Sequence, residues 1–409
     1  MATSLHSALP RPSLRIAPAV VIAALALLSV AYVALFAPMV ALPVDGRFTN
    51  ARGGFAGGDF ALFYSAGRLA AQGDAAAAYD LARYRLTHSE YMAPAPPRAP
   101  WIYPPTTLLA LRALGTLPPE AALWTWLALG ALAGAAAAAL AGGARLAPLG
   151  VLFPGIGQAL VCGQNGAFSA LLLAAVLHFW TAAPLAAGAA LGLLSYKPQI
   201  MAVALCAALA LRAWRLAAAA TATAGALVLA SLAVDGLAPW LALPRAFADL
   251  AAYLPEATLV RARWVTPFGL ALAAGAPPAL AMTLQAVAAP AVLAAIVAVF
   301  RRTADAFARS AAIAAGTLLF TPYGYDYDLA ILVVPTACLL ARLGDAPRFA
   351  RGDLARLAVL WLAPLLSYPA AIAFGFTPAG VLLVAILAFA WSTAGRAKCA
   401  NSEQPAPIP

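Results

Sequence analysis

This 409-residue chain is poor in charge and in reactive side chains. Only 15 residues are acidic, three are histidine and four are cysteine. Charged residues make up 10% of the sequence, far below the roughly 25% of soluble domains. A chain this long with so little charge has no water-facing surface to match its core, which excludes an ordinary soluble enzyme. The histidines His6, His88 and His178 form no cluster. The cysteines Cys162, Cys206, Cys338 and Cys399 are scattered, so neither a metal-ligand spacing nor a disulfide framework is legible, and small apolar packing is their expected role. No metal and no cofactor is expected. His178 on an apolar helix reads as a packed core residue, while His88 falls in a segment that can face a site. Lysine is the scarcest base of all: Lys197 and Lys398 are the whole complement.

What remains is apolar. Hydrophobic residues account for 64% of the chain and mean hydropathy is +0.88. Runs of about 20 apolar residues, the length that crosses a bilayer, recur throughout. The expected fold class is therefore an all-α polytopic membrane bundle of about 10–12 helices. The first run, 16–42, is too long for a signal-peptide core and lacks a small-residue cleavage site, so it reads as a retained span. The net charge of +10 lies in clusters between spans: Arg11/Arg15, Arg145, Arg212/Arg215, Arg301/Arg302/Arg309, Arg342/Arg348/Arg351/Arg356 and Arg396/Lys398. That is the positive-inside pattern, with both termini cytoplasmic and anionic lipid as the partner of the arginines. No nucleic-acid site is legible.

Following that rule along the chain, 16–42 runs outward and 43–119 forms a first external loop. Its apolar spacing at 60–69 and 75–86 predicts two short amphipathic helices lying on the membrane. Segment 120–142 returns inward. Segments 146–161 and 167–180 form a hairpin with Gly163-Gln164-Asn165-Gly166 at its tip. A second hairpin, 185–194 and 200–211, carries Tyr196-Lys197-Pro198-Gln199. Segment 216–234 leads to a second external loop, 235–264, and 279–300 returns. A third hairpin, 310–320 and 329–340, carries Thr321-Pro322-Tyr323-Gly324-Tyr325-Asp326-Tyr327-Asp328. Spans 357–374 and 379–391 close a single domain covering 1–398, with 94–100 as a Pro/Ala loop and 399–409 as a disordered cytoplasmic tail.

The polar interruptions carry a second argument. Asp59, Gln164/Asn165, Lys197 and Asp326/Asp328 all fall on the outer side if the arginines are cytoplasmic. Several hairpin segments are short, so their tips are expected below the outer surface, where broken helices are tolerated around a polar cavity. Asp59, in Gly57-Gly58-Asp59-Phe60, is either a functional carboxylate or an N-cap of the helix that follows. Lys197 reads as a phosphate contact, or as a lysine snorkelling to the interface or paired with Asp326 or Asp328. Gln164 and Asn165 either hydrogen-bond a sugar or cap a helix, capping being slightly favoured. Tyr323, Tyr325 and Tyr327 with Asp326 and Asp328 form either a sugar-binding face or an interfacial aromatic belt. The two aspartates also have a spacing that can hold a divalent cation.

Taken in order, Gly57-Gly58-Asp59-Phe60 with Phe63-Tyr64, Tyr79-Asp80, Trp101-Ile102-Tyr103-Pro104-Pro105, Gly163-Gln164-Asn165, Tyr196-Lys197-Pro198-Gln199, and Pro322-Tyr323 to Tyr327-Asp328-Leu329 resemble glycosyltransferase family 87 over about 45–345. The resemblance implies a C-superfamily membrane enzyme that takes a hexose, typically mannose, from a polyprenyl-phosphate-sugar donor at the outer face of a bacterial cytoplasmic membrane and passes it to a lipid or glycan acceptor. It implies that Asp59 is the catalytic base. Tyr103, Gln164, Asn165, Tyr196, Lys197, Tyr325, Asp326 and Asp328 are the matching candidates for binding donor phosphate and sugar. Some relatives carry a functional histidine in the late hairpin, where this chain reads Tyr325-Asp326-Tyr327-Asp328.

A base and a cation suit a single displacement that inverts the anomeric carbon, with Lys197 and Arg68, Arg261 or Arg263 receiving the leaving phosphate. A lipid or solute transporter with an outward-facing polar site is the alternative, although transporters commonly show two matched halves and no internal repeat is evident here.

Overall fold

The computed structural model describes residues 18–40, 50, 56–91, 99–344 and 349–402. His6, Arg11, Arg15, Asp45, Arg348, the 94–98 part of the Pro/Ala loop and the chain from 403 onward lie outside them, as do the side chains of Arg396, Lys398 and Cys399.

The chain is all-helical, as its composition requires: 82% of it is helix and the described residues contain no strand. Alanine and leucine dominate these helices, and both are strong helix formers. In hydrocarbon the helix also satisfies every backbone polar group internally. Prolines sit in the first turn of the helices Pro119–Gly142, Pro154–Val161, Pro184–Leu193, Pro198–Ala210, Pro267–Ala273 and Pro278–Arg302, where a missing N–H costs nothing.

Among the described residues, five helices have the length and hydropathy to cross a membrane: Val20–Ala37, Pro119–Gly142, Trp214–Asp235, Pro278–Arg302 and Arg351–Phe374. Shorter apolar helices fill the bundle between them, among them Gly166–Phe179, Pro198–Ala210 and Ala306–Phe320. Close packing runs through small residues. A Cβ on Gly188 would come within 2.4 Å of the Leu216 carbonyl oxygen, so the helix Pro184–Leu193 lies nearly backbone to backbone against Trp214–Asp235.

Several local expectations need correction. Segment 146–161 is a broken pair: Ala144–Leu152 and Pro154–Val161 meet at a 51° bend, with Phe153 extended and Pro154 starting the second piece. The second external loop holds a 16-residue helix, Ala238–Tyr253. Asp326–Leu332 forms a tight 3-10 turn before the helix Val333–Leu343. The final helix runs from Ala379 to Ser402.

The expected amphipathic helices of 43–119 do not simply lie on a lipid surface. Phe60–Ala71 is buried along most of its length and packs on Thr106–Gly115. A Cβ on Gly115 would sit 2.2 Å from the backbone of Gly67. Phe60, Phe63, Tyr79, Tyr84 and Trp101 form a second core, separate from the main bundle core and joined by Ala246 of the second loop. A third cluster gathers Trp264, Tyr325 and Tyr327.

Candidate active site

Between the second core and the third cluster lies a cavity of about 870 Å³. It brings together the first external segment, the tips of all three hairpins and the second external loop. The polar residues that interrupted apolar sequence at distant points therefore converge.

Asp59 ends a turn made possible by Gly57 and Gly58, both at positive φ. Its N–H donates to the Cys162 carbonyl at 2.8 Å, docking this turn on the first hairpin tip. Gly163 makes the docking possible: it has φ +64° and its hydrogen faces the Gly57 carbonyl oxygen, which a Cβ would approach to 1.9 Å. Asp59 occupies the N-cap position of Phe60–Ala71, yet its side chain makes no capping hydrogen bond. Instead, Gln164 Nε2 donates to Asp59 Oδ2 at 2.8 Å. The Tyr103 hydroxyl reaches Gln164 Oε1 at 3.4 Å, and Tyr103 is set by Phe63 and Trp101 and by the Tyr79 hydroxyl on its carbonyl. Capping is thus not what the Asp59 carboxylate does.

The same correction applies to Asn165. It precedes the helix Gly166–Phe179 without a side-chain cap, and its buried Oδ1 has no hydrogen-bond partner among the described residues. Gln164 holds Asp59 instead of capping.

Two cations, each with an aspartate, line the same cavity as Asp59. Lys197 Nζ is buried and paired with Asp328, whose Oδ2 also accepts from the Tyr325 N–H. The pair supplies the counter-charge that a buried ammonium needs. Snorkelling therefore does not describe Lys197. Arg263 grips Asp326 from Nε and Nη2, with Nη2 at 2.8 Å from Oδ1. Its guanidinium is placed by backbone: Asp326 N–H donates to the Arg263 carbonyl, and Trp264 and Tyr325 form an antiparallel bridge. The Tyr327 ring lies between the two cations, 5.2 Å from Lys197 Nζ and 5.4 Å from the Arg263 guanidinium. With each aspartate holding its own base, Asp326 and Asp328 serve as anchors of cations, not as a matched pair of metal ligands.

Of the sequence-derived candidates, Asp59, Tyr103, Gln164, Tyr196, Lys197, Tyr325 and Asp328 line the cavity. Asn165 and Asp326 lie behind its wall. Tyr196 is fixed by a 2.7 Å hydrogen bond between its hydroxyl and Ser169 Oγ. Tyr323, Tyr325 and Tyr327 also face the space, although Tyr325 and Tyr327 stack on one another at 5.0 Å. Arg68 is occupied elsewhere, donating to the Gly115 carbonyl, and neither it nor Arg261 lines the cavity.

Two further contributions come from His88, which the sequence left open to facing a site, and from a stripe that sequence reasoning missed. His88 is buried in the cavity wall, with Nδ1 3.2 Å from Ser65 Oγ. Burial pulls its imidazole down to about 4, so it is neutral at ordinary pH. His178, by contrast, is exposed and bonds the Leu140 carbonyl instead of packing in a core. The second contribution is apolar. Trp240, Leu243, Phe247 and Leu250, one stripe of Ala238–Tyr253, line the cavity, and Phe247 is half exposed. Helical spacing in an unassigned loop was the available signal.

A multi-pass helical bundle gathers a carboxylate, two anchored cations and an apolar wall around one cavity, which is the make-up of a membrane enzyme's site. The chain belongs to glycosyltransferase family 87: the sequence model of that family matches residues 101–322, more than half of the chain. Tyr103, Gln164, Asn165, Tyr196, Lys197 and Arg263 fall inside the match, whereas Asp59 precedes it and Tyr325, Asp326 and Asp328 follow it. No curated protein and no solved structure matches the chain.

Proposed function

We propose that this glycosyltransferase moves a hexose, mannose in the first instance, from a polyprenyl-phosphate-sugar donor to the hydroxyl of a lipid or glycan acceptor, at the outer face of a bacterial cytoplasmic membrane. The observation that carries the reading is the make-up of one cavity. Asp59, a carboxylate with no salt bridge among the described residues, lines it together with Lys197 and Arg263, which flank Tyr327 and are each paired to an aspartate. The apolar stripe Trp240–Leu243–Phe247–Leu250 lines that space, with Phe247 half exposed, which suits a donor whose chain stays in the bilayer.

In this reading the acceptor oxygen attacks the anomeric carbon as the bond from that carbon to the phosphate oxygen breaks. Asp59 Oδ1 takes the hydroxyl proton while Gln164 holds Oδ2. The electron pair of the breaking bond leaves with polyprenyl phosphate, whose growing charge is met by Arg263 and Lys197. Both cations are pre-organised by their aspartates, so little reorientation is needed at the moment of transfer. A single displacement inverts the anomeric configuration. Tyr323 and Tyr325, which line the same cavity, contact the transferred sugar in this reading.

The test is incubation of purified protein in nanodiscs with radiolabelled polyprenyl-phosphate mannose and membrane lipid extract. Label should move into a new extractable product, and Asp59→Asn should abolish that movement. Transfer from a nucleotide sugar but from no polyprenyl-phosphate donor would overturn the donor assignment.

A further inference from the structure

A groove of about 620 Å³ runs between the helices Pro198–Ala210 and Trp214–Asp235 and shares no lining residue with the cavity of Asp59. Leu205 and Leu209 line it from the first helix, and Trp214, Ala218 and Ala222 from the second. Thr221 is the one hydroxyl in the lining, and it is spent within its own helix, donating to the Ala217 carbonyl at 3.1 Å. The groove therefore suits an apolar occupant. Pro198–Ala210 begins beside Lys197 at the first cavity and ends here, about 20 Å away at 1.5 Å per residue.

One end of the groove is charged. Arg212 lies in the turn between the two helices and Arg215 in the first turn of the second, on either side of Trp214. Arg301 joins them from Pro278–Arg302, its Nη2 donating to the Ala210 carbonyl at 3.1 Å. All three arginines are exposed, and none has a carboxylate partner among the described residues. Trp214, 61% exposed, stands between this charge and the apolar groove, the place that suits an indole at a membrane interface.

Arg212 also sits where an arginine is costly. Its N–H donates to the Leu209 carbonyl and the Ala213 N–H to that of Ala208, the paired bonds that end a helix on a left-handed residue. Arg212 has φ 60° and is the only non-glycine residue at positive φ among the described residues. Glycine takes that conformation without a clashing Cβ, so an arginine there points to a use for its side chain.

We propose that this groove binds one anionic glycerophospholipid, an acyl chain lying along Leu205, Leu209, Ala218 and Ala222 and the phosphate held by Arg212, Arg215 and Arg301. Basic clusters between membrane helices suit such head groups. A free phosphate would make no use of the groove, and a zwitterionic lipid would bring a cation of its own to the arginines.

Native mass spectrometry of the full chain in detergent, titrated with dioleoyl phosphatidylglycerol or dioleoyl phosphatidylcholine, tests this. One phosphatidylglycerol should be retained at least about tenfold more tightly than phosphatidylcholine. Arg212→Gly suits the backbone, so it should keep the melting temperature in lipid-free detergent while weakening phosphatidylglycerol about fivefold, the worth of one basic side chain. Adding Arg215→Gln should bring the loss to about twenty-five-fold. Arg145→Gln, at an exposed arginine of another turn, should leave retention unchanged. Ala218→Trp fills the groove and should abolish the tightly held lipid; if it does not fold, Ala222→Phe fills the groove from the same helix. Equal retention of the two lipids overturns the site, as does an equal loss in Arg145→Gln. So does unchanged retention in Arg212→Gly/Arg215→Gln or in the groove-filling variant. A collapse of the melting temperature in Arg212→Gly would return that arginine to holding the turn and overturn its part in the site.

Discussion

Gln164 Nε2 donates to Asp59 Oδ2 at 2.8 Å across 105 positions of sequence, and this bond ties the first external segment to the tip of the first hairpin. It fixes one oxygen of a carboxylate whose residue lines the cavity. The Asp59 N–H to Cys162 carbonyl bond and the close approach of Gly163 to Gly57 hold the same junction from the backbone side.

Asp59→Asn should therefore preserve the fold, because the carboxylate makes no helix-capping bond. Turnover should fall at least about a hundredfold, the usual worth of a positioned base. Initial rates at saturating donor measure this. Rates within a few-fold of wild type would remove Asp59 from the role of base.

Gln164 acts through Asp59, so Gln164→Leu should lower kcat about tenfold with donor KM nearly unchanged. Tyr103→Phe should do less, since its bond to Gln164 is long at 3.4 Å. Gln164→Glu should fail to rescue, because a second carboxylate beside Asp59 replaces a donor by a like charge. A donor KM that rises in step with the loss of kcat would count against a positioning role.

Lys197 and Asp328 form a buried ion pair, and removing one partner leaves the other charge uncompensated. Lys197→Met alone should destabilise by about 3–5 kcal/mol and reduce yield. The double change Lys197→Met/Asp328→Asn should recover much of the yield. Donor KM should stay raised in the double variant if the ammonium also meets phosphate. A double variant with normal donor kinetics would restrict Lys197 to holding the fold.

Membrane orientation is directly measurable. Cysteines introduced at Asp74 and Gly236 should react with an impermeant maleimide in intact cells, and one at Gly344 should not, following the arginine distribution. Labelling at Gly344 alone would reverse the orientation of the cavity.

His88 should impose a pH dependence on stability. Its folded value, near 4, lies below the ordinary 6.5, so the unfolded chain binds more protons between them. Stability should be full above about pH 6.5 and should fall as pH drops toward 4. His88→Gln should flatten that slope in thermal denaturation scans. An identical slope in the variant would assign the dependence to other groups.

How much of this was legible depends on the kind of information each feature needs. Composition and run length are local quantities, and they were enough to define an all-α membrane bundle, because hydrocarbon admits helices and penalises unpaired backbone. The ordered motifs from Gly57 to Leu329 pointed to the family, and they nominated Asp59, Tyr103, Gln164, Tyr196, Lys197, Tyr325 and Asp328 of the cavity lining. The bend at Phe153–Pro154 was missed because an apolar run gives no sign of direction. The burial of Phe60–Ala71 was missed because an amphipathic stripe looks alike against lipid and against protein.

The sequence by itself determined which residues were out of place in an apolar chain, since a charge in such a context must find a partner or a purpose. Only the tertiary structure decided which of the two each one found. Lys197 met Asp328, Arg263 met Asp326, and Asp59 met an amide that holds it without neutralising it. His88 reached the cavity wall because Leu81–Tyr91 packs on the helix that Asp59 begins. Pairing energies fall off within a few ångströms, and no spacing along the chain encodes distances between segments a hundred residues apart.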